Sequence, residues 1–322
     1  MRFGIPYQGS KNRIAEWVVE QMPASHTLVD LFAGGCAVTH AALLSRKWEK
    51  VVANDRTSAP QVFVDAINGE FSEWSLMCDR EEFMALKDVD DAVALLFSFG
   101  NTRDSYMFGA EIEKVKVPAE RMLTAPSVRE RYTWFKAFIR ALKSVEADGA
   151  ESAGECLDNL KRKGLQGLQG LGRLQGLQGL EGLQGLGRLQ GLQGLEGLEV
   201  TRMDYRDVVI PDGATVYADP PYRGTGDQAY KQFNFDAFDG WLNSVSFPVY
   251  VSEYTAPRGC IEVASKQKVS TMSPNGKSQH VVEKLFVQER FAHTAGVGRL
   301  LKPFLKDEGE EEGDDQTTAR WL

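Results

Sequence analysis

The chain has 322 residues, 43% hydrophobic and 25% charged, a balance that supports a buried core and disfavours a disordered or fibrous protein. Its net charge of −8 argues against a uniformly basic nucleic-acid binder, but the stretch DEGEEEGDD (307–315) holds seven acids and leaves the remainder near neutral. No stretch reaches the ~18 uninterrupted apolar residues of a membrane span, and the N-terminus MRFGIPYQGSK has no apolar run of a secretory signal, so a cytoplasmic setting without a membrane partner is expected.

In chain order, the first hundred residues alternate two kinds of segment. TLVDLF (27–32), KVVAND (50–55) and AVALLFSF (92–99) read as short buried strands. KNRIAEWVVEQM, AVTHAALLSRKW and APQVFVDAIN read as helices, the first with Ile14, Val18 and Met22 at helical spacing. SVRERYTWFKAFIRALK (127–143) predicts a helix opened by a capping box of Ser127 and Glu130. Val128, Tyr132, Phe135, Ile139 and Leu142 fall on one expected apolar face, with Arg129, Arg131, Lys136, Arg140 and Lys143 largely elsewhere. Those basic residues suit phosphates and a solvated helix face equally well.

Residues 164–199 are a Gly-Leu-Gln low-complexity repeat with Leu at every third position from Leu165 to Leu198. A three-residue step turns a helix by about 300°, so these leucines would wind round every face rather than form a stripe. The segment is expected to be a tolerated insertion in a loop, either extended or a tether. After it, ATVYAD (214–219) and PVYVSEY (248–254) read as strands flanking a helical FDAFDGWLNSV. The expected fold class is therefore α/β, a mostly parallel sheet with helices on both faces and a small helical insertion.

Cys36, Cys78, Cys156 and Cys260 form no CxxC pair, and His26, His40, His280 and His293 have no ligand spacing, so no metal is expected. Three other patterns do suggest chemistry. VDLFAGGCAV (29–38) ends a strand in Asp30, then Phe32, Gly34 and Gly35 before a helix, a turn that lets backbone approach a ligand. An ordinary strand-to-helix turn has the same composition. Asp55 follows about twenty residues on, where an acid can accept from the hydroxyls of a ribose.

The third pattern is TVYADPPYRGTG (215–226). Its two prolines stop a strand and donate no hydrogen bond. The Asp219 carboxylate and the Pro220 carbonyl suit the two N–H groups of a ring-bound amine, and Tyr222 suits the ring face. Two such acceptors localise the nitrogen lone pair that the ring otherwise delocalises.

The combination of this corner with PYQGSK (6–11), DLFAGG, FSFGN (97–101), VSEYTAP (251–257) and EKLFV (283–287) resembles the Dam-like, alpha-type DNA adenine-N6 methyltransferases. The resemblance implies a Rossmann-like catalytic sheet and S-adenosylmethionine as methyl donor. It puts Tyr7, Lys11, Asp30, Phe32, Gly34, Gly35, Asp55 and Asp219 at the cofactor, and Asp219, Pro220 and Tyr222 at the target base. It further implies DNA with a flipped adenine as partner, a cognate restriction enzyme as a candidate partner, a monomer or weak dimer, and a bacterial or phage-encoded origin. The chain then divides into 1–101 and 200–306 as catalytic halves, 102–163 for target recognition, the 164–199 repeat, and an acidic tail at 307–322. Residues 102–163 align with no recognition domain, which leaves the target sequence open. Other readings are methylation of RNA adenine or cytosine N4, a non-catalytic DNA-binding relative, and a nicotinamide dehydrogenase, the last weakened by the absence of GxGxxG.

Overall fold

The computed structural model describes residues 3–70, 78–147, 196–223, 233–270 and 279–292. Most of the repeat, 164–195, and the acidic tail lie outside them.

The elements in order are α1 (Ala15–Gln21), β1 (Thr27–Asp30), α2 (Ala37–Ser45), β2 (Lys50–Asn54), α3 (Ala59–Ile67), α4 (Arg80–Leu86), α5 (Asp91–Leu96), α6 (Ala110–Thr124), α7 (Val128–Ala147), β3 (Leu198–Thr201), β4 (Thr215–Ala218), α8 (Phe235–Ser244), β5 (Val249–Glu253), β6 (Cys260–Ser270) and β7 (Gln279–Gln288). The strands form one sheet in the order β3-β2-β1-β4-β5-β7-β6. β1 to β5 run parallel, and β7 is antiparallel to β5 and β6.

Side chains alternate across the sheet as period-2 strands require. Leu28, Val51, Tyr217, Tyr250 and Leu285 enter the larger apolar cluster, which also takes Val18 of α1, Val38 of α2 and Phe63 of α3. Val29, Val52, Val216, Val249 and Phe286 point to the opposite cluster, closed by Phe238 and Leu242 of α8. Both faces of the parallel strands are thus covered, which explains why these strands are almost wholly apolar.

Two expectations are corrected. AVALLFSF is no strand: residues 91–96 form α5, whose N-cap Asp90 accepts from the backbone N–H groups of Ala92 and Val93. A short run buried on all sides carries no period to tell helix from strand, so the acidic cap decides. The missing parallel strand is β3, which follows the repeat; the repeat's last residues, Leu198 and Glu199, pair with β2 beside Val51 and Val52.

The second correction concerns α7. Val128, Tyr132 and Phe135 are exposed, at 83%, 60% and 41%, and the buried contact is Phe138 against Val115 and Ala119 of α6. No sequence pattern flagged α6 as the partner, because Pro118 sits inside it. The Ser127 hydroxyl does accept from the Glu130 backbone N–H, as a cap should. The hairpin joins the sheet domain through ion pairs: Arg80 with Glu113 at 2.9 Å and Arg121 with Glu82 at 2.9 Å. On α6, burial lowers the Lys116 ammonium to about 8, and it lies 4.3 Å from the centre of the Phe108 ring.

Candidate active site

The strand order reverses between β1 and β4: from β1 the chain goes outward to β2, and β4 returns to lie on β1's other side. In open α/β sheets, such a crevice at the carboxyl ends of the strands receives ligands. The glycine turn leaves β1 and the Asp-Pro-Pro-Tyr corner leaves β4, so two motifs nearly two hundred residues apart become neighbours. The Leu31 backbone N–H donates to the Tyr217 carbonyl at 2.9 Å across this junction.

On the β1 side, Tyr7 lies against the glycine turn. A Cβ on Gly34, whose φ is +46°, would stand 2.9 Å from the Tyr7 ring, so a side chain there would displace it. The PYQGSK segment is fixed on both sides of Tyr7. The Ile5 backbone N–H donates to the Gly35 carbonyl, and the Gln8 backbone N–H donates to Asn101 Oδ1 at 2.7 Å. Asn101 belongs to FSFGN, so that motif braces the first one. His40 adds a further brace: its Nδ1 accepts from the Gly4 backbone N–H, and burial pushes the imidazole down to about 4, keeping it a neutral acceptor.

Asp55 also serves the turn. Its Oδ2 accepts from the Gly34 backbone N–H at 2.9 Å, and its Oδ1 accepts from the backbone N–H and hydroxyl of Thr57. A carboxylate has about four lone-pair sites, so one stays open for a hydroxyl without breaking a bond. That acceptor capacity beside an aromatic ring and a close backbone turn fits the adenosine part of S-adenosylmethionine.

Asp30 and Phe32 lie further in. Asp30 is 1% exposed, accepts from the Thr39 hydroxyl at 2.8 Å, and is raised by burial to about 7, with the Asp219 and Asp55 charges adding to the rise. Phe32 packs with Tyr205, Phe233 and Phe238, at ring separations of 5.2, 5.9 and 5.9 Å. Their placement shapes the turn from beneath.

On the β4 side, Asp219 Oδ1 forms an ion pair with Lys11 Nζ at 2.7 Å. The ammonium also lies 4.5 Å from the centre of the Tyr222 ring and 3.8 Å from Glu283 Oε1. Burial alone would lower the Lys11 ammonium, but Asp219 and Glu283 outweigh it and the net direction is upward. The Tyr222 hydroxyl donates to Glu283, and the Tyr254 ring meets Tyr222 edge to face at 4.6 Å. Burial, then Asp219 and Glu283, push the Tyr222 phenol well above its ordinary value, so it stays neutral. The loop is pinned by Glu253, which accepts from the backbone N–H groups of Arg223 and Tyr254, and by Arg223 on Asp239.

The structure therefore gathers Tyr7, Gly34, Gly35 and Asp55 at one strand end and Lys11, Asp219 and Tyr222 at the next, while Pro220 is buried. Sequence reasoning overlooked Glu283 and Glu253. A signal existed for the first: Glu283 shares strand parity with Leu285 and Val287, so period 2 turns it toward the core. A buried acid in an apolar strand needs a partner. Among the described residues, no group of three or more His, Cys, Asp or Glu side chains forms a metal site.

Comparison with known proteins points the same way. Residues 7–141 match the family model described as D12 class N6 adenine-specific DNA methyltransferase. The chain is also similar to the Type II methyltransferase M2.HphI of Haemophilus parahaemolyticus, 32% identical over 87 residues, which are 27% of this chain and 23% of that protein. The chain thus spans about a quarter of that relative. The family match ends at residue 141, before the Asp-Pro-Pro-Tyr corner. What joins the two is the pairing of β4 with β1.

Proposed function

We propose, supported by the match of residues 7–141 to the family model described as D12 class N6 adenine-specific DNA methyltransferase, that this protein moves a methyl group from S-adenosylmethionine to the N6 amine of adenine in DNA. The observation that carries the reading is the β1–β4 junction, where an acceptor-rich turn for an adenosine and an acceptor-and-aromatic corner for an amine stand side by side.

S-adenosylmethionine supplies a methyl on an electron-poor sulfonium. The chain's own residues orient the acceptor. Asp219 and the Pro220 carbonyl each take one N–H of the amine, Tyr222 stacks on the base, and the amine lone pair is directed at the methyl carbon. As the N–C bond forms, the C–S bond breaks with its electrons on sulfur, and the methylated amine then loses a proton. Catalysis is mainly positioning and electrostatics. A base inside a duplex cannot reach such a corner, so the adenine is extruded or single-stranded.

The DNA is read beside the site by the α6–α7 hairpin. On α7, exposed Val128, Tyr132 and Phe135 border exposed Arg129, Lys136 and Arg140, with Lys136 4.7 Å from the centre of the Tyr132 ring. Cations for phosphates interleaved with aromatic faces are the composition of a nucleic-acid surface. The sheet domain and the hairpin thus divide chemistry from recognition, and the repeat between α7 and β3 serves neither.

The test is to sequence DNA from cells expressing the protein by a method that detects methylated adenine, beside cells expressing the Asp219→Ala variant. Methylated adenine in one recurring sequence with the wild type alone is the expected result. Its absence from both, or methylation on cytosine N4, refutes the reading.

A further inference from the structure

A ladder of aromatic rings runs along the seam between the sheet domain and the α6–α7 hairpin, and two cations lie on it. Phe83 of α4 meets Tyr106 at 5.6 Å, and Tyr106 meets Phe108 edge to face at 5.9 Å. Arg80 lies 5.0 Å from the centre of the Tyr106 ring, and Lys116 lies 4.3 Å from that of Phe108. Helical side chains lean toward the helix N-terminus, which carries Lys116, in the second turn of α6, back over Phe108 just ahead of the helix.

The two cations differ in charge balance. Arg80 is neutralised by Glu113, which accepts from its Nε at 2.9 Å and from its backbone N–H at 2.8 Å. Glu82 and Glu120 face Arg121, at 2.9 and 3.9 Å. Among the described residues no carboxylate pairs with Lys116, although its side chain is only 7% exposed. Burial alone shifts its ammonium, with no neighbouring charge acting against it. Enclosing a cation without an anion destabilises the fold, and a ring face returns only part of the loss. The stem is covered, but Nζ is not among the fully enclosed atoms without a hydrogen bond, so the tip still reaches solvent.

We propose that Lys116 is a phosphate anchor for DNA, receiving one backbone phosphate at the seam between the sheet domain and the hairpin. The idea rests on the reading that this protein acts on DNA. A phosphodiester brings the missing negative charge, and lysine takes it as a point charge that needs no fixed fork geometry. Phe108 packs on the larger core cluster, while α6 carries the hairpin's own apolar contact. A phosphate at Lys116 is therefore held by both regions at once, and such contacts set the register of a duplex without reading its sequence. Lys136 and Arg140 of α7 are exposed, so their charges cost the free protein little by comparison.

Lys116→Met tests it, since methionine keeps the apolar stem and removes the charge. In the full chain without DNA, the urea midpoint is expected to hold or rise, because an uncompensated cation has left the interior. Binding to short unmethylated genomic fragments is expected to weaken about fivefold, with the slope of log affinity against log salt smaller by about 1. A midpoint that falls by more than about 0.5 M means that the ammonium holds the fold itself, and overturns the proposal. A midpoint that holds with an unchanged salt slope also overturns it and leaves adenine methylation standing. If inorganic phosphate then raises the midpoint of the wild type alone, the position takes a free anion and not DNA. A wild type that neither binds DNA nor methylates it overturns both readings.

Discussion

The corner after β4 and the α6–α7 hairpin are built on opposite plans. The corner is a buried ionic network: Lys11, Asp219 and Glu283 are tied within 3.8 Å, with Tyr222 bonded to the last. The hairpin has a small apolar contact of its own, Phe138 on Val115 and Ala119, and leaves Tyr132 and Phe135 in solvent. A low dielectric strengthens each contact of such a network, whereas exposed aromatics and cations can adapt to a partner. Chemistry needs sub-ångström placement, so the proposed function assigns it to the first region, and recognition, which tolerates variation, to the second.

The largest test of this contrast is Asp219→Ala. It is expected to lower methyl transfer by roughly a thousandfold, on the scale of removing a key electrostatic contact, while S-adenosylmethionine affinity measured by calorimetry falls far less. A variant that keeps wild-type turnover would break the assignment of chemistry to the corner. Next is Phe138→Ala, which empties the hairpin's own contact. Denaturant unfolding should show a loss of about 3 kcal/mol, and DNA affinity should fall with cofactor affinity untouched. Equal loss of both would mean that the two regions are not separate.

Asp55→Ala should weaken S-adenosylmethionine by about 2 kcal/mol, roughly thirtyfold, the worth of a hydrogen bond to a charged acceptor. An unchanged dissociation constant would remove Asp55 from the cofactor. The smallest effect belongs to the hairpin surface. Lys136→Ala and Arg140→Ala should each reduce the slope of log affinity against log salt by about 1, if each neutralises one phosphate. A slope that does not change would move the DNA elsewhere.

Much of this was legible from residue order. The apolar runs at 27–32, 50–55, 214–219 and 248–254 became strands, and the glycine turn and the proline corner became the two neighbouring strand ends of the β1–β4 junction. Each of these is a local signal, fixed by hydrogen-bond capacity and allowed backbone angles over a few residues. The strand at 92–99 failed because an all-apolar run has no period, and α6, with Pro118 inside it, drew no reading at all. Hairpin packing was only partly legible: Ile139 of the expected face does pack on the α6 contact, but its centre is Phe138, a position the partner helix selects.

By itself, then, the order of residues determined which acceptor and ring groups stand at the corner after β4, because the valence and geometry of Asp219, Pro220 and Tyr222 are properties of short segments. Only the folded chain decided that Lys11 and Glu283 stand against that corner. They come from the first and last described parts of the molecule, and it takes the pairing of β5 with β7 and the packing of the N-terminal segment on the glycine turn to bring their charges together. Electrostatic partnership over such a separation depends on distance in space, which no local pattern encodes.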